Sequence, residues 1–211
     1  MRLAAKPGRG GKVDILIDGE YWRAVDMDFW YSCGLLSGDE IGEDALMQLE
    51  AASLAYGAFH KALDYLSRRD YCGQELLQKL SSTFGRQAAA QAVEKAVELG
   101  LVEDARYAQR LAQELSMRKG MSAGRICQAL MQRGVAREIA TNVAQGLDID
   151  PQSRIIELLE TKFAGKYGDE KGRRRVFNSL VRLGYGFTDI RRAMREVEIF
   201  IDGTEEEKFF S

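Results

Sequence analysis

Leu76-Leu77-Gln78-Lys79-Leu80, Ile126-Cys127-Gln128-Ala129-Leu130 and Val176-Phe177-Asn178-Ser179-Leu180 stand 50 residues apart, each apolar at its first, second and fifth positions. Those three positions share one face of a helix, so each stretch reads as a helix with one buried side. The register reaches beyond the apolar face. Gly134 and Gly184 keep the same period, with Phe84 in the equivalent slot of the first copy; Arg125 and Arg175 correspond, with Glu75 in that copy. Further helical faces surround these stretches: Ala55, Phe59, Ala62, Leu63 and Leu66; Ala89, Ala92, Val93, Ala96 and Val97; Tyr107, Ala108, Leu111, Ala112 and Leu115; Ile190, Ala193, Met194 and Val197. Gly100, Gly120, Gly134 and Gly184 each follow a helical run, where a left-handed residue ends a helix. Asp150-Pro151 reads as an N-cap with proline at N1. The pattern predicts an all-α fold of about nine short helices in three tandem three-helix repeats, neighbours burying one another's apolar faces.

Ahead of the repeats, Val13–Ile17 and Glu20–Val25 flank Asp18-Gly19, the signal for a short N-terminal β-hairpin closed by a type I′ turn. An isolated hairpin is marginal in water, so this one needs a packing partner, for which Trp22, Phe29, Trp30 and Tyr31 are available. Residues 1–11 read as a mobile arm. The division is 1–41 for arm and hairpin, 42–100, 101–149 and 150–198 for the repeats, and 199–211 for a mobile acidic tail containing Glu205-Glu206-Glu207.

Composition sets the class. Of 211 residues 45% are hydrophobic and 29% charged, a mix that can bury a core, and the two prolines, Pro7 and Pro151, leave the chain free to be helical. Cys33, Cys72 and Cys127 are odd in number and widely spaced. They read as small buried hydrophobes in a reducing compartment rather than a disulfide framework. With no run of 18 apolar residues and no secretory signal, the expectation is a cytoplasmic protein away from the membrane. The formal net charge of −2 hides a segregation: residues 105–195 hold 18 Lys+Arg and 9 Asp+Glu, the remainder 12 and 23. A basic C-terminal half implies a polyanionic or acidic partner.

Catalytic signatures are missing. His60 is the only histidine, which removes histidine triads and multi-histidine metal sites; no C-x-x-C spacing occurs, and Glu103-Asp104 sits where carboxylates complement a helix dipole. Residues 6–12 depart from a phosphate loop in lacking the first glycine, the Ser/Thr and a preceding strand. We therefore expect no enzyme, no cofactor and no metal. The candidate binding residues are cations: Arg118, Lys119 and Arg125, then Arg173, Arg174 and Arg175 at a helix start, and Arg191, Arg192 and Arg195 on the next helix. Cations at a helix N-terminus gain nothing from its dipole, so Arg173–Arg175 suit an external anion.

On these residues the chain resembles the RecX family of recombination regulators. The middle repeat carries it through Gly100–Ala108, Arg118-Lys119-Gly120, Arg125–Leu130 and Gln132–Val135. The third adds Lys162-Phe163, Arg173–Arg175 and Gly186–Arg192, and the first adds Ala62–Arg69 and Glu75–Leu80. Ala123-Gly124 departs from the usual Pro-Arg before the core arginine, and the turn Arg182–Phe187 is longer than the usual Arg-Gly-Phe. The resemblance implies an elongated, curved array that lodges as a monomer in the groove of the RecA–single-stranded-DNA filament. There it inhibits recombinase and coprotease functions, with DNA phosphates as further contacts. The residues alone leave open a helix-turn-helix protein that binds DNA independently of RecA.

Overall fold

The structure, a computed structural model, describes residues 1–197, so the acidic tail expected at 199–211 lies outside the described residues. The chain forms two compact units, Met1–Glu103 and Asp104 onward. The first contains β1 (Leu3–Pro7), β2 (Lys12–Ile17), β3 (Glu20–Asp26), α1 (Met27–Ser32), α2 (Glu43–Leu66), α3 (Gly73–Phe84) and α4 (Arg86–Glu98). The second contains α5 (Asp104–Met117), α6 (Ala123–Gln132), α7 (Arg137–Gln145), α8 (Pro151–Glu160), α9 (Glu170–Arg182) and α10 (Phe187–Glu196).

The fold is mostly helical with a short N-terminal antiparallel sheet, in the order β1-β2-β3. The predicted turn has the left-handed backbone a type I′ turn requires, with φ of 52° at Asp18 and 89° at Gly19. The expected arm is corrected: β1 pairs with β2 from Leu3–Ile17 to Pro7–Val13 and makes the hairpin a three-stranded meander. The cause is Leu3, fully buried with Val13, Ile15, Val25, Ile41 and Leu49. Trp22, Phe29 and Trp30 pack on this core as expected, whereas Tyr31 is 78% exposed.

Helix α2 runs 24 residues, longer than the short helices expected, because it serves two cores. Leu49 belongs to the sheet's core, and Ala58 and Ala62 to that of α2–α4. Val102, beyond α4, is buried in this second core. The repeated inward positions are buried in all three central helices: Leu76 and Leu80, Ile126 and Leu130, Val176, Phe177 and Leu180. Each such side chain contributes about 1.5–3 kcal/mol by leaving water.

The turns after α6 and α9 match. Gly134 and Gly184 have φ of 93° and 94°, and the next residue donates five back, Val135 to the Leu130 carbonyl and Tyr185 to that of Leu180. This Schellman closure buries Val135 and Tyr185. In the first copy Phe84 occupies the glycine slot and cannot turn left-handed cheaply, so the chain breaks one residue later at Gly85 (φ 79°) and α4 follows at once.

Candidate functional site

Helix α9 starts at Glu170, capped by Asp169, whose carboxylate accepts from the Gly172 amide at 2.7 Å. At about 100° per residue, three successive arginines fan across about 200° of the helix. The structure therefore does not gather Arg173–Arg175 on one face. Arg173 lies one turn before buried Phe177 and is half-buried, while Arg174 and Arg175 are exposed. Arg175 instead shares the outer face with exposed Asn178 and Arg182, and it borders a pocket of about 500 Å³ with Lys166, Asp169 and Ser179.

On α6 the same places are Arg125, Gln128 and Gln132, and Arg125 donates to Gln128 Oε1 at 3.2 Å. Lys119 and Arg125 meet at a pocket of about 240 Å³ whose floor includes Leu111, Leu115 and Met121, and Arg133 joins them there. Arg118 is held apart: its side chain is 81% exposed, 3.9 Å from Glu114. On α10, Ile190, Ala193 and Met194 face inward, leaving Arg191, Arg192 and Arg195 within an arc of about 100° on the far side. Hydrogen bonds from the Ser153 hydroxyl and amide, with smaller contributions from the Gln152 amide and the charge of Arg192, hold the Asp150 carboxyl below the usual carboxylate range.

A seam joins α5–α6 to α8–α10 and sets these groups in place. Three carbonyls at the end of α5 and just beyond it receive donors from the following repeat: Arg154 Nη2 to Ser116 at 2.7 Å, Lys162 Nζ to Lys119 at 3.0 Å and Tyr185 Oη to Gly120 at 3.1 Å. Arg154, only 18% exposed, also ion-pairs with Glu157. Burial pushes the Tyr185 hydroxyl above its ordinary pKa, and Arg154 beside it pulls the other way. Ser122 caps α6 through the Arg125 amide, donates its hydroxyl to the Gly184 carbonyl at 2.9 Å and its amide to that of Leu183 at 2.9 Å. At Gly184 a β-carbon would stand 2.6 Å from Arg125 Cβ, so the turn after α9 abuts the stem of Arg125.

The sequence reading missed Arg133, Arg154, Lys166 and Arg182. Arg182 was within reach, since a shift of 50 residues carries Gln132 onto it. Arg154 carried no periodic signal, because its partner is a backbone carbonyl 38 residues away. His60 is exposed on the Tyr56 ring, with centroids 4.3 Å apart. Among the described residues no group of three or more His, Cys, Asp or Glu side chains could hold a metal ion, and no helix is long and apolar enough to cross a membrane. Cys72 is buried; Cys33 and Cys127 are half-buried.

A family model described as "RecX, second three-helix domain" matches residues 104–143, the span of α5–α7. Regulatory protein RecX of Trichlorobacter lovleyi is 35% identical over 137 residues, covering 62% of this chain and 89% of that protein. The chain belongs to the RecX family. Regulatory protein RecX of Caldanaerobacter subterraneus is similar over more of it, 28% identical across 190 residues, or 90% of this chain and 95% of the relative. A crystal structure of regulatory protein RecX, 18% identical, shares the fold with a TM-score of 0.71 over 92% of this chain and 97% of its own. RecX from Lactobacillus salivarius matches with a TM-score of 0.59 over 71% of this chain.

Proposed function

We propose that this RecX-family protein acts in the cytoplasm as a monomeric, non-catalytic regulator that binds the RecA–single-stranded-DNA filament. There it lowers RecA's recombinase, ATPase and coprotease activities, and so moderates recombinational repair and the SOS response. The observation that carries the reading is the recurring outer cation of α6 and α9, Arg125 and Arg175, extended by Arg182, in a chain of the RecX family. A filament is a periodic polyanion presented by repeating subunits, and cations repeated along a helical array suit such a partner. Arg118, Lys119, Arg173, Arg174, Arg191, Arg192 and Arg195 add to the basic surface. Phosphate contacts to DNA are part of the same reading.

The test is RecA's DNA-dependent ATP hydrolysis on preformed filaments, titrated with substoichiometric protein. The expected result is a fall in rate with co-sedimentation, and a potency at least tenfold weaker for the double variant Arg175→Glu/Arg182→Glu at unchanged helicity. No effect on cognate RecA, together with tight binding to naked duplex, would overturn the reading in favour of a helix-turn-helix DNA-binding protein independent of RecA.

A further inference from the structure

The pocket of about 240 Å³ between α5 and α6 joins two chemistries. Lys119, Arg125 and Arg133 border it, and no carboxylate lines it among the described residues. Its floor is apolar: Leu115 is buried, and Leu111, Met121 and Ala129 are half-buried. Arg133 also donates to the Tyr107 hydroxyl at 3.4 Å, so Lys119 and Arg125 are the cations an incoming anion would meet. Arg125 gives one guanidinium N–H to Gln128 Oε1, and a guanidinium carries five. A phosphate would meet these cations but leave the floor without a partner. The pocket suits a chain segment that brings carboxylates and a bulky apolar side chain together.

This chain carries such a segment. Residues 198–211, outside the described residues, hold Glu198, Asp202, Glu205, Glu206 and Glu207 against Lys208, with Phe209-Phe210 directly after. Reach is sufficient. The turn at Gly184 abuts Arg125, since a β-carbon there would stand 2.6 Å from Arg125 Cβ. From Gly184, two residues and the single helix α10 place Val197 within about 30 Å of that point. Phe209 follows Val197 by 12 residues, a stretch that spans up to about 40 Å when extended. The pocket beside α9 fits less well: Lys166 and Arg175 border it, but so does Asp169, whose carboxylate repels an acidic chain.

We propose that residues 205–210 dock in the pocket between α5 and α6 of their own chain. Carboxylates of Glu205–Glu207 meet Lys119 and Arg125, and a phenylalanine ring covers Leu111, Leu115 and Met121. Arg125 is also an outer cation of the filament reading, so the docked segment withholds it from the filament. That consequence rests on the filament reading; the docking itself does not.

The test treats the full chain with a carbodiimide, which joins an amine to a carboxylate where the two touch, and maps the products by mass spectrometry. The expected result is Lys119 joined to Glu205, Glu206 or Glu207 within one chain, in a yield that falls as salt is added. Phe209→Ser/Phe210→Ser leaves every charge in place and should lower that yield about fivefold or more, through the lost apolar contact. The proposal falls if Lys119 gives no product with these glutamates, or if Lys162, Lys166 and Lys171 react with them as readily. It falls too if the serine variant reacts as wild type does, or if the product forms only between two chains, which would make the occupant a second copy. For the consequence, Glu205→Gln/Glu206→Gln/Glu207→Gln should inhibit RecA's ATP turnover about threefold more strongly than wild type. Equal inhibition by the two would overturn the withholding of Arg125. The filament reading fails separately, through wild type and variant both leaving RecA's turnover unchanged while the cross-link still forms.

Discussion

In α3 the residues turned away from the core are Glu75, Gln78 and Ser82; in α9 the same places hold Arg175, Asn178 and Arg182. Inward, both helices bury the first and fifth positions of one apolar pattern. Glu75 is engaged locally, 2.5 Å from Arg69, whose guanidinium this hydrogen bond holds above its ordinary pKa. Arg175 borders an open pocket instead. The buried register makes the repeat, and the outer register, which the core does not dictate, differs in charge from copy to copy.

The sharpest way to break the comparison is on its shared side. Leu80→Ala, Leu130→Ala and Leu180→Ala should each cost about 2–5 kcal/mol in urea denaturation, and a copy that lost far less would not be using the common core. Next comes the turn that only the later copies possess. Gly184→Ala combines a left-handed backbone with a clash on Ser122 Oγ and Arg125, for a loss of about 2–4 kcal/mol. Gly100→Ala, left-handed but facing open space, should lose only about 1–2 kcal/mol in the same measurement.

Tyr185→Phe removes one buried hydrogen bond and should cost about 1 kcal/mol at neutral pH. Because the folded pKa of Tyr185 is raised, its contribution is complete below the unfolded value near 10 and fades as pH rises through the folded pKa. Wild type should therefore lose stability on the alkaline side more steeply than Tyr185→Phe, as measured by denaturation at pH 8 and above. Smallest in stability is Glu75→Arg, which breaks a surface pair and should change unfolding by no more than about 1 kcal/mol. It gives α3 the cation of α9, so the salt slope of DNA binding should steepen by about one unit.

The inner register was legible because burial repeats with helical spacing and the stops after it need particular residues: Gly134 and Gly184 turn left-handed, and Asp150 caps α8 through the Ser153 amide at 2.8 Å. β1 was not, since Leu3 is its one fully buried side chain and Pro7 and the glycines after it look like an arm. The length of α2 was hidden because the periodic face read from the sequence began at Ala55, whereas Leu49, a turn and a half earlier, is buried in the other core. For the site, residue type pointed to the cations, but adjacency in sequence was a poor guide to adjacency in space. Arg173, Arg174 and Arg175 diverge around α9, whereas Lys119 and Arg125 converge with Arg133. The seam was invisible because its donors meet main-chain atoms, which no side-chain pattern announces.

That last property has a corollary for the surface. Arg154, Lys162 and Tyr185 grip carbonyls of residues 116–120 and ask nothing of the side chains borne by residues 117–119. Met117, Arg118 and Lys119 all stand exposed. The joint therefore leaves the side chains at 117–119 free to answer to something other than folding, and the one letter it does dictate is Gly120, whose left-handed turn leaves no room for a β-carbon beside Leu158.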